Sequence, residues 1–136
     1  MQLALITGAS TGIGRATALR LVATGWTVLA GVRGQEAAES LVEESSACER
    51  MIPLTLDVTD AGQIAEAAAR VKDLAEGGAS SRGGLDALVN NAGIGIGGPV
   101  ELLAPEDLRR QFDVNVHGQV AVTQAMLPAL RRARGR

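Results

Sequence analysis

Eight residues near the start of the chain constrain its fold more than any other stretch: Thr7-Gly8-Ala9-Ser10-Thr11-Gly12-Ile13-Gly14. Before them, Leu3-Ala4-Leu5-Ile6 is an apolar run of strand length. After them, Arg15 to Ala23 carries apolar residues at helical spacing. The glycines therefore sit on a strand-to-helix turn, and each has a physical use there. Gly8 lets the chain turn sharply out of the strand. Gly12 has no Cβ, so a pyrophosphate can approach its backbone. Gly14 lets the helix pack tightly against the first strand. The start of the helix offers unpaired N–H groups and the positive end of a dipole to an anion. Out of this context the same glycines read equally well as a turn that binds nothing.

The pattern around that turn repeats. A strand over about residues 2–7 leads to a helix over 13–24, which Gly25 ends as a C′ glycine. Residues 26–32 read as a second strand and 35–46 as a polar helix with a narrow apolar stripe. Residues 51–56 read as a third strand. Pro53 cannot donate to a sheet ladder, so that strand belongs at an edge. Thr59-Asp60 opens a helix to Glu76, with Asp60 as a capping or first-turn acid. Residues 77–84 are flexible by composition, 85–90 form a fourth strand, and 105–134 a long helix with an apolar middle. Strands alternating with helices mean βαβ units and an α/β fold with a doubly wound parallel sheet. Right-handed crossovers predict strand order 3-2-1-4, with a ligand crevice between strands one and four. At 136 residues, this is one domain's worth of chain.

Composition excludes several classes. A net charge of −2 points to neither nucleic acid nor an anionic membrane surface. No apolar run approaches the roughly 20 residues of a membrane span. Cys48 is the sole cysteine, so no internal disulfide forms, and a free thiol fits a reducing cytoplasm. The chain enters a strand at once, which leaves no room for a signal peptide.

Arg33 bears on the choice of nucleotide. Folds that prefer NAD place an acidic residue near the end of strand two for the ribose 2′-hydroxyl. Here Gly31 and Val32 stand there and Arg33 follows. A guanidinium can grip a 2′-phosphate with paired hydrogen bonds, so we expect NADP(H) rather than NAD. A solvated arginine at a strand end is the alternative. Arg15 either reaches the phosphates or faces water.

Five motifs together carry a resemblance. The T-G-x-x-x-G-x-G loop, Asp57-Val58, Asn90-Asn91-Ala92-Gly93 and Asn115-Val116-His117-Gly118 match, in order, those of the short-chain dehydrogenase/reductase family, and Arg33 fits its strand-two position. Residues 28–33 and 54–60 look most like its retinol and hydroxysteroid dehydrogenase branch, which implies an apolar alcohol or carbonyl substrate. The resemblance implies a Rossmann-type fold. It makes Thr7, Gly8, Ser10, Thr11, Gly12, Ile13 and Gly14 cofactor-binding. It implies that the Asp57 carboxylate accepts from the adenine amino group and that Val58 packs beside the ring. By the same resemblance Asn90 ties the strand end to neighbouring backbone, while Ala92 and Gly93 bring backbone close to the ribose. Asn115 joins the catalytic group, bonding through its backbone a water that leads to the catalytic lysine. A helix interior disfavours Asn and Gly, so a local distortion is expected at 115–118. His117, the lone histidine, reads as an exposed or groove side chain. Ile94 to Pro99 is either a substrate-touching loop or a connector. The arginines of the tail complement a helix C-terminus better than they make a nucleic-acid arm.

The family's hydride chemistry also needs a serine, a tyrosine and, four residues later, a lysine. This chain has no tyrosine, and its one lysine, Lys72, lies in a helix far from the crevice. The expectation is therefore the N-terminal half of a larger domain, truncated after the fourth strand and its helix. A catalytically inactive nucleotide-binding module, or a fragment completed by a partner chain, is the other reading. Strand four should present an open edge, and the last helix should expose residues such as Val120, Val122, Met126 or Leu130. Homo-oligomerisation through that edge or helix follows.

Overall fold

The computed structural model describes residues 1–136. Strand β1 (Leu3–Ile6) leads to helix α1 (Gly12–Ala23), β2 (Thr27–Val32) to α2 (Gln35–Glu44), and β3 (Met51–Thr55) to α3 (Ala61–Glu76). Strand β4 (Ala87–Val89) is followed by α4 (Pro105–Phe112), a π turn (Asp113–Gly118) and α5 (Gln119–Ala133). All pairings are parallel and the order is β3-β2-β1-β4, as the alternation predicted. Pro53 lies on the edge strand.

Helices cover both faces, so the central strands are continuous apolar runs rather than alternating ones. Every residue of β1 is fully buried. Leu3, Leu5 and Leu29 pack towards α3 and α5, against Ile64, Val71, Val122 and Met126. Ile6, Val28, Ala30 and Val32 point the other way, onto Ala18 and Val22 of α1 and Leu41 of α2. Burial of each such Leu, Ile or Val side chain contributes about 1.5–3 kcal/mol. Asp60 caps α3 by accepting from the Gln63 N–H at 3.0 Å, as expected.

Three expectations are corrected. Residues 77–84 are not uniformly loose. The Ser80 hydroxyl donates to the buried Asp86 carboxylate at 2.7 Å, which also accepts from the Leu3 N–H at 2.9 Å. Gly84 lies so close to the Ala129 carbonyl that no Cβ would fit. Val122, Met126 and Leu130 are core residues, because α5 turns that stripe onto α3. Val120 is exposed as expected, in company with Leu108 and Phe112 of α4 and Val116 of the π turn. Nor is β4 wholly open. Its outer side carries two rungs, with the Arg136 N–H donating to the Asp86 carbonyl at 3.1 Å and the Leu88 N–H to the Arg136 carbonyl at 2.8 Å.

Candidate functional site

The crevice lies at the carboxyl ends of β1 and β4, where the strand order reverses. Its first wall is the glycine turn. Gly8 has φ +66°, and a Cβ there would lie 2.7 Å from the Ala92 Cα, so the two loops touch backbone to backbone. Gly14 is closed in by the Gly8 carbonyl and the Asn91 amide. Its contact is with the turn itself rather than with the strand. Gly12 differs from both. It has φ +58° and nothing within 4 Å of a Cβ position. Thr11, the N-cap of α1, makes no side-chain capping bond, and the first turn holds no acid. The helix start thus keeps its N–H groups directed outward with open space before them, which suits a pyrophosphate.

Thr7 and Asn90 line no part of the crevice. Thr7 is buried and knits β1 to the loop after β4, its hydroxyl accepting from the Asn91 and Ala92 N–H groups at 3.0 and 2.9 Å. Asn90 donates to the Thr123 hydroxyl of α5 at 2.8 Å, so it does not tie the strand end to neighbouring backbone. Asn91 does that, donating to the Thr7 and Gly8 carbonyls at 3.0 and 2.9 Å. Side chains alternate sides along an extended chain, which gives the inward place to one of two adjacent asparagines. The motif contained Asn91, but nothing in the sequence distinguished it from Asn90.

Two adjoining cavities make up the crevice. A smaller one of about 280 Å³ is lined by Gly8, Ser10, Thr11, Ile13, Asn91, Ala92 and Gly93. A larger one of about 570 Å³ is lined by Thr59, Ile64, Arg109, Arg110, His117, Gly118 and Ala121. Both are bounded by Arg33, Asp57, Val58, Ile94 and Val114. Nothing in the sequence pointed to Arg110 or Val114, which reach the site through the packing of α4 and the π turn, whereas Ile94 opens the loop read as either touching substrate or merely connecting.

Asp57 sits where the cavities join. Its Oδ1 accepts from the Thr59 hydroxyl at 2.7 Å and the Thr59 N–H at 2.9 Å. Those two bonds hold its carboxyl below the ordinary value, and the guanidinium groups of Arg33 and Arg110 push the same way. The group is an ionised acceptor at neutral pH. Arg15, by contrast, does not reach the crevice. It crosses from α1 to α2 and pairs with Glu44 and the Ser40 hydroxyl.

The expected distortion is the π turn. Gly118 lies against Val58, where a Cβ would be 2.7 Å from the valine Cγ2. Asn115 reaches back to the loop after β4, its Oδ1 accepting from the Ile94 N–H at 2.9 Å and its Nδ2 donating to the Ile94 carbonyl at 2.8 Å. His117 is exposed at the rim of the larger cavity and pairs with Asp113 at 2.9 Å.

Residues 2–136 match the family described as short chain dehydrogenase. Retinol dehydrogenase 5 of Mus musculus is 41% identical over 132 residues, which is 96% of this chain and 39% of the relative. The chain spans about two fifths of the length of curated relatives such as this one. Among solved structures, a short-chain dehydrogenase from Streptomyces avermitilis superposes with a TM-score of 0.83 at 38% identity, covering 99% of this chain and 47% of that one. An alcohol dehydrogenase from Thermococcus sibiricus, complexed with 5-hydroxy-NADP, gives a TM-score of 0.82 at 32% identity, covering 99% and 55%.

Proposed function

The chain belongs to the short chain dehydrogenase family, and from that membership we propose that its crevice holds NADP(H) for an oxidoreductase acting on an alcohol or carbonyl. The observation that carries this reading is one continuous crevice. It runs from the uncapped start of α1, past Arg33, to the ionised Asp57.

Each residue has a part in the proposal. The turn from Ser10 to Ile13 receives the pyrophosphate on backbone N–H groups, with Gly12 leaving room for it. Asp57 accepts from the adenine amino group, and Val58 supplies an apolar side to the ring. Arg33 meets the 2′-phosphate. Ala92 and Gly93 present backbone towards the ribose. When bound, the nicotinamide supplies or accepts a hydride at the substrate carbon. The side chain of Asn115 is committed to Ile94, so any part it takes in proton transfer runs through its backbone.

The proton-transfer tyrosine and lysine lie outside these 136 residues in this reading, which takes the chain as the cofactor half of a larger domain. The two-fifths coverage of the curated relatives supports that. The retinol dehydrogenase relative supports an apolar substrate. No helix is long and apolar enough to cross a membrane, and a cytoplasmic location is part of the proposal. The exposed row Leu108, Phe112, Val116 and Val120 supports a homo-oligomer through the last helix. A monomer in sedimentation across a wide concentration range would remove that part.

Titration of the chain with NADPH and with NADH tests the cofactor assignment. Tighter binding of NADPH is expected, and Arg33→Ala should weaken NADPH about tenfold or more while sparing NADH. Equal losses for both nucleotides would remove the case for NADP(H). No binding of either would remove the cofactor site itself.

A further inference from the structure

Three carboxamides lie four residues apart on the last long helix: Gln111, Asn115 and Gln119. Each bonds the backbone of the segment after β4. The Gln119 Nε2 donates to the Ala92 carbonyl. Asn115 exchanges two bonds with Ile94. The Gln111 Oε1 accepts from the Ile96 N–H at 2.5 Å. The partners are therefore every second residue, 92, 94 and 96, taken in the opposite direction to the helix.

The spacing is physically matched. Four residues of helix rise about 6 Å, and two residues of extended chain advance about 6.6 Å. A segment laid antiparallel to the helix therefore meets one carboxamide per two residues. We propose that Gln111 and Gln119 are positioning residues that act with Asn115 as an amide ladder. The ladder sets the register and depth of Ala92–Ile96, the second wall of the crevice. The part concerning nucleotide rests on the cofactor reading above.

The rungs differ in polarity, and the difference makes the ladder testable. At Ile96 the backbone offers a donor, so Gln111 must present an oxygen. At Ala92 the backbone offers an acceptor, so Gln119 must present an N–H. A carboxylate has acceptors only. Gln111→Glu therefore keeps its rung, whereas Gln119→Glu loses its donor and sets a negative charge against a carbonyl. A role limited to filling space would not separate them, since Glu and Gln have nearly the same shape.

Two readouts decide the matter. In hydrogen–deuterium exchange of the full chain, the Ile96 amide should be protected. Gln111→Ala should speed its exchange about tenfold or more, and Gln111→Glu should leave it slow. In NADPH titration, Gln119→Glu should weaken binding about tenfold or more, with Gln111→Glu near the parent. Gln119→Met, which keeps length and loses the donor, serves if the glutamate variant does not fold, and it should weaken binding as well. Like behaviour of the two glutamate variants, or an Ile96 amide exchanging at the unprotected rate in the parent, would overturn the ladder. If the parent binds no dinucleotide, the cofactor reading falls and the exchange arm still decides the ladder.

Discussion

The two walls of the crevice are made by opposite means. The first, Thr7–Gly14, is shaped by what its residues lack. At Gly8 and Gly14 the neighbouring backbone occupies the place of a side chain, and at Gly12 that place is open. The second, Ala92–Ile96, is shaped by side chains reaching from elsewhere. Its carbonyls and N–H groups are held by Gln119, Asn115 and Gln111 from a helix up to 27 residues away in sequence. The two walls meet at Asn91, which stands just before the second and donates to the Thr7 and Gly8 carbonyls, and at Thr7, whose hydroxyl accepts from the Ala92 N–H. A wall built of missing side chains is rigid and intolerant of substitution. A wall held by side-chain amide bonds that are exposed or only partly buried opens locally at much smaller cost.

The largest effect should come from filling the first wall. Gly14→Ala drives a methyl into the Gly8 carbonyl, which belongs to backbone and has no rotamer to escape by. We expect a loss of about 3 kcal/mol, the upper range for overpacking, measured by urea unfolding. A variant as stable as the parent would show that the turn yields and the contrast between walls is false. In the second wall, Asn115→Ala removes both bonds to Ile94 at an exposed site, at about 1 kcal/mol. Faster amide exchange at Ile94 should accompany it, without global unfolding. A loss as large as that of Gly14→Ala would place the second wall in the same cooperative unit as the first.

The smallest effect concerns Asp57, which both cavities share. Its folded-state pKa is depressed, so its contribution to stability is present above the ordinary carboxyl range. That contribution is lost as pH falls through the lowered value. The hydroxyl of Thr59 is the leading cause. Thr59→Val should therefore move the Asp57 titration upward, towards the ordinary value, while the backbone N–H bond keeps it from returning fully. NMR titration of the carboxyl carbon reads this directly. An unmoved midpoint would show that the hydroxyl is not what depresses it. The group is largely solvated, so unfolding measurements should register little.

This contrast also explains what was legible in the sequence. The glycine turn could be read because its physics is local: a strand, a gap in side chains, a helix. The strand order followed from βαβ alternation in the same way, and the edge position of β3 from the missing N–H of Pro53. The disturbance at Asn115–Gly118 was visible as residues misplaced in a helix, and it is the π turn. Asn90 and Asn91 could not be told apart, because their roles depend on which one faces Thr7 across the sheet. Gln111 and Gln119 read as ordinary helix formers, since their partners are backbone groups that any sequence supplies. Val122, Met126 and Leu130 were expected at the surface because the packing of α5 on α3 was not foreseen.

The π turn has a further consequence, which is one of phase. An α-helix completes a turn in 3.6 residues, so positions four apart drift by about 40° per step and soon leave a common line. A wider turn winds that drift back. Because Asp113–Gly118 stands between α4 and α5, two rows of period four keep their alignment across it. One row is Gln111, Asn115 and Gln119, facing the loop, and the other is Leu108, Phe112, Val116 and Val120, facing solvent. Were these same six residues wound as regular α-helix, the drift would return and α5 would be turned relative to α4. Gln119 would swing off Ala92, and the buried row of Val122, Met126 and Leu130 would lose its place on α3, so one local irregularity sets the rotational setting of half the helix.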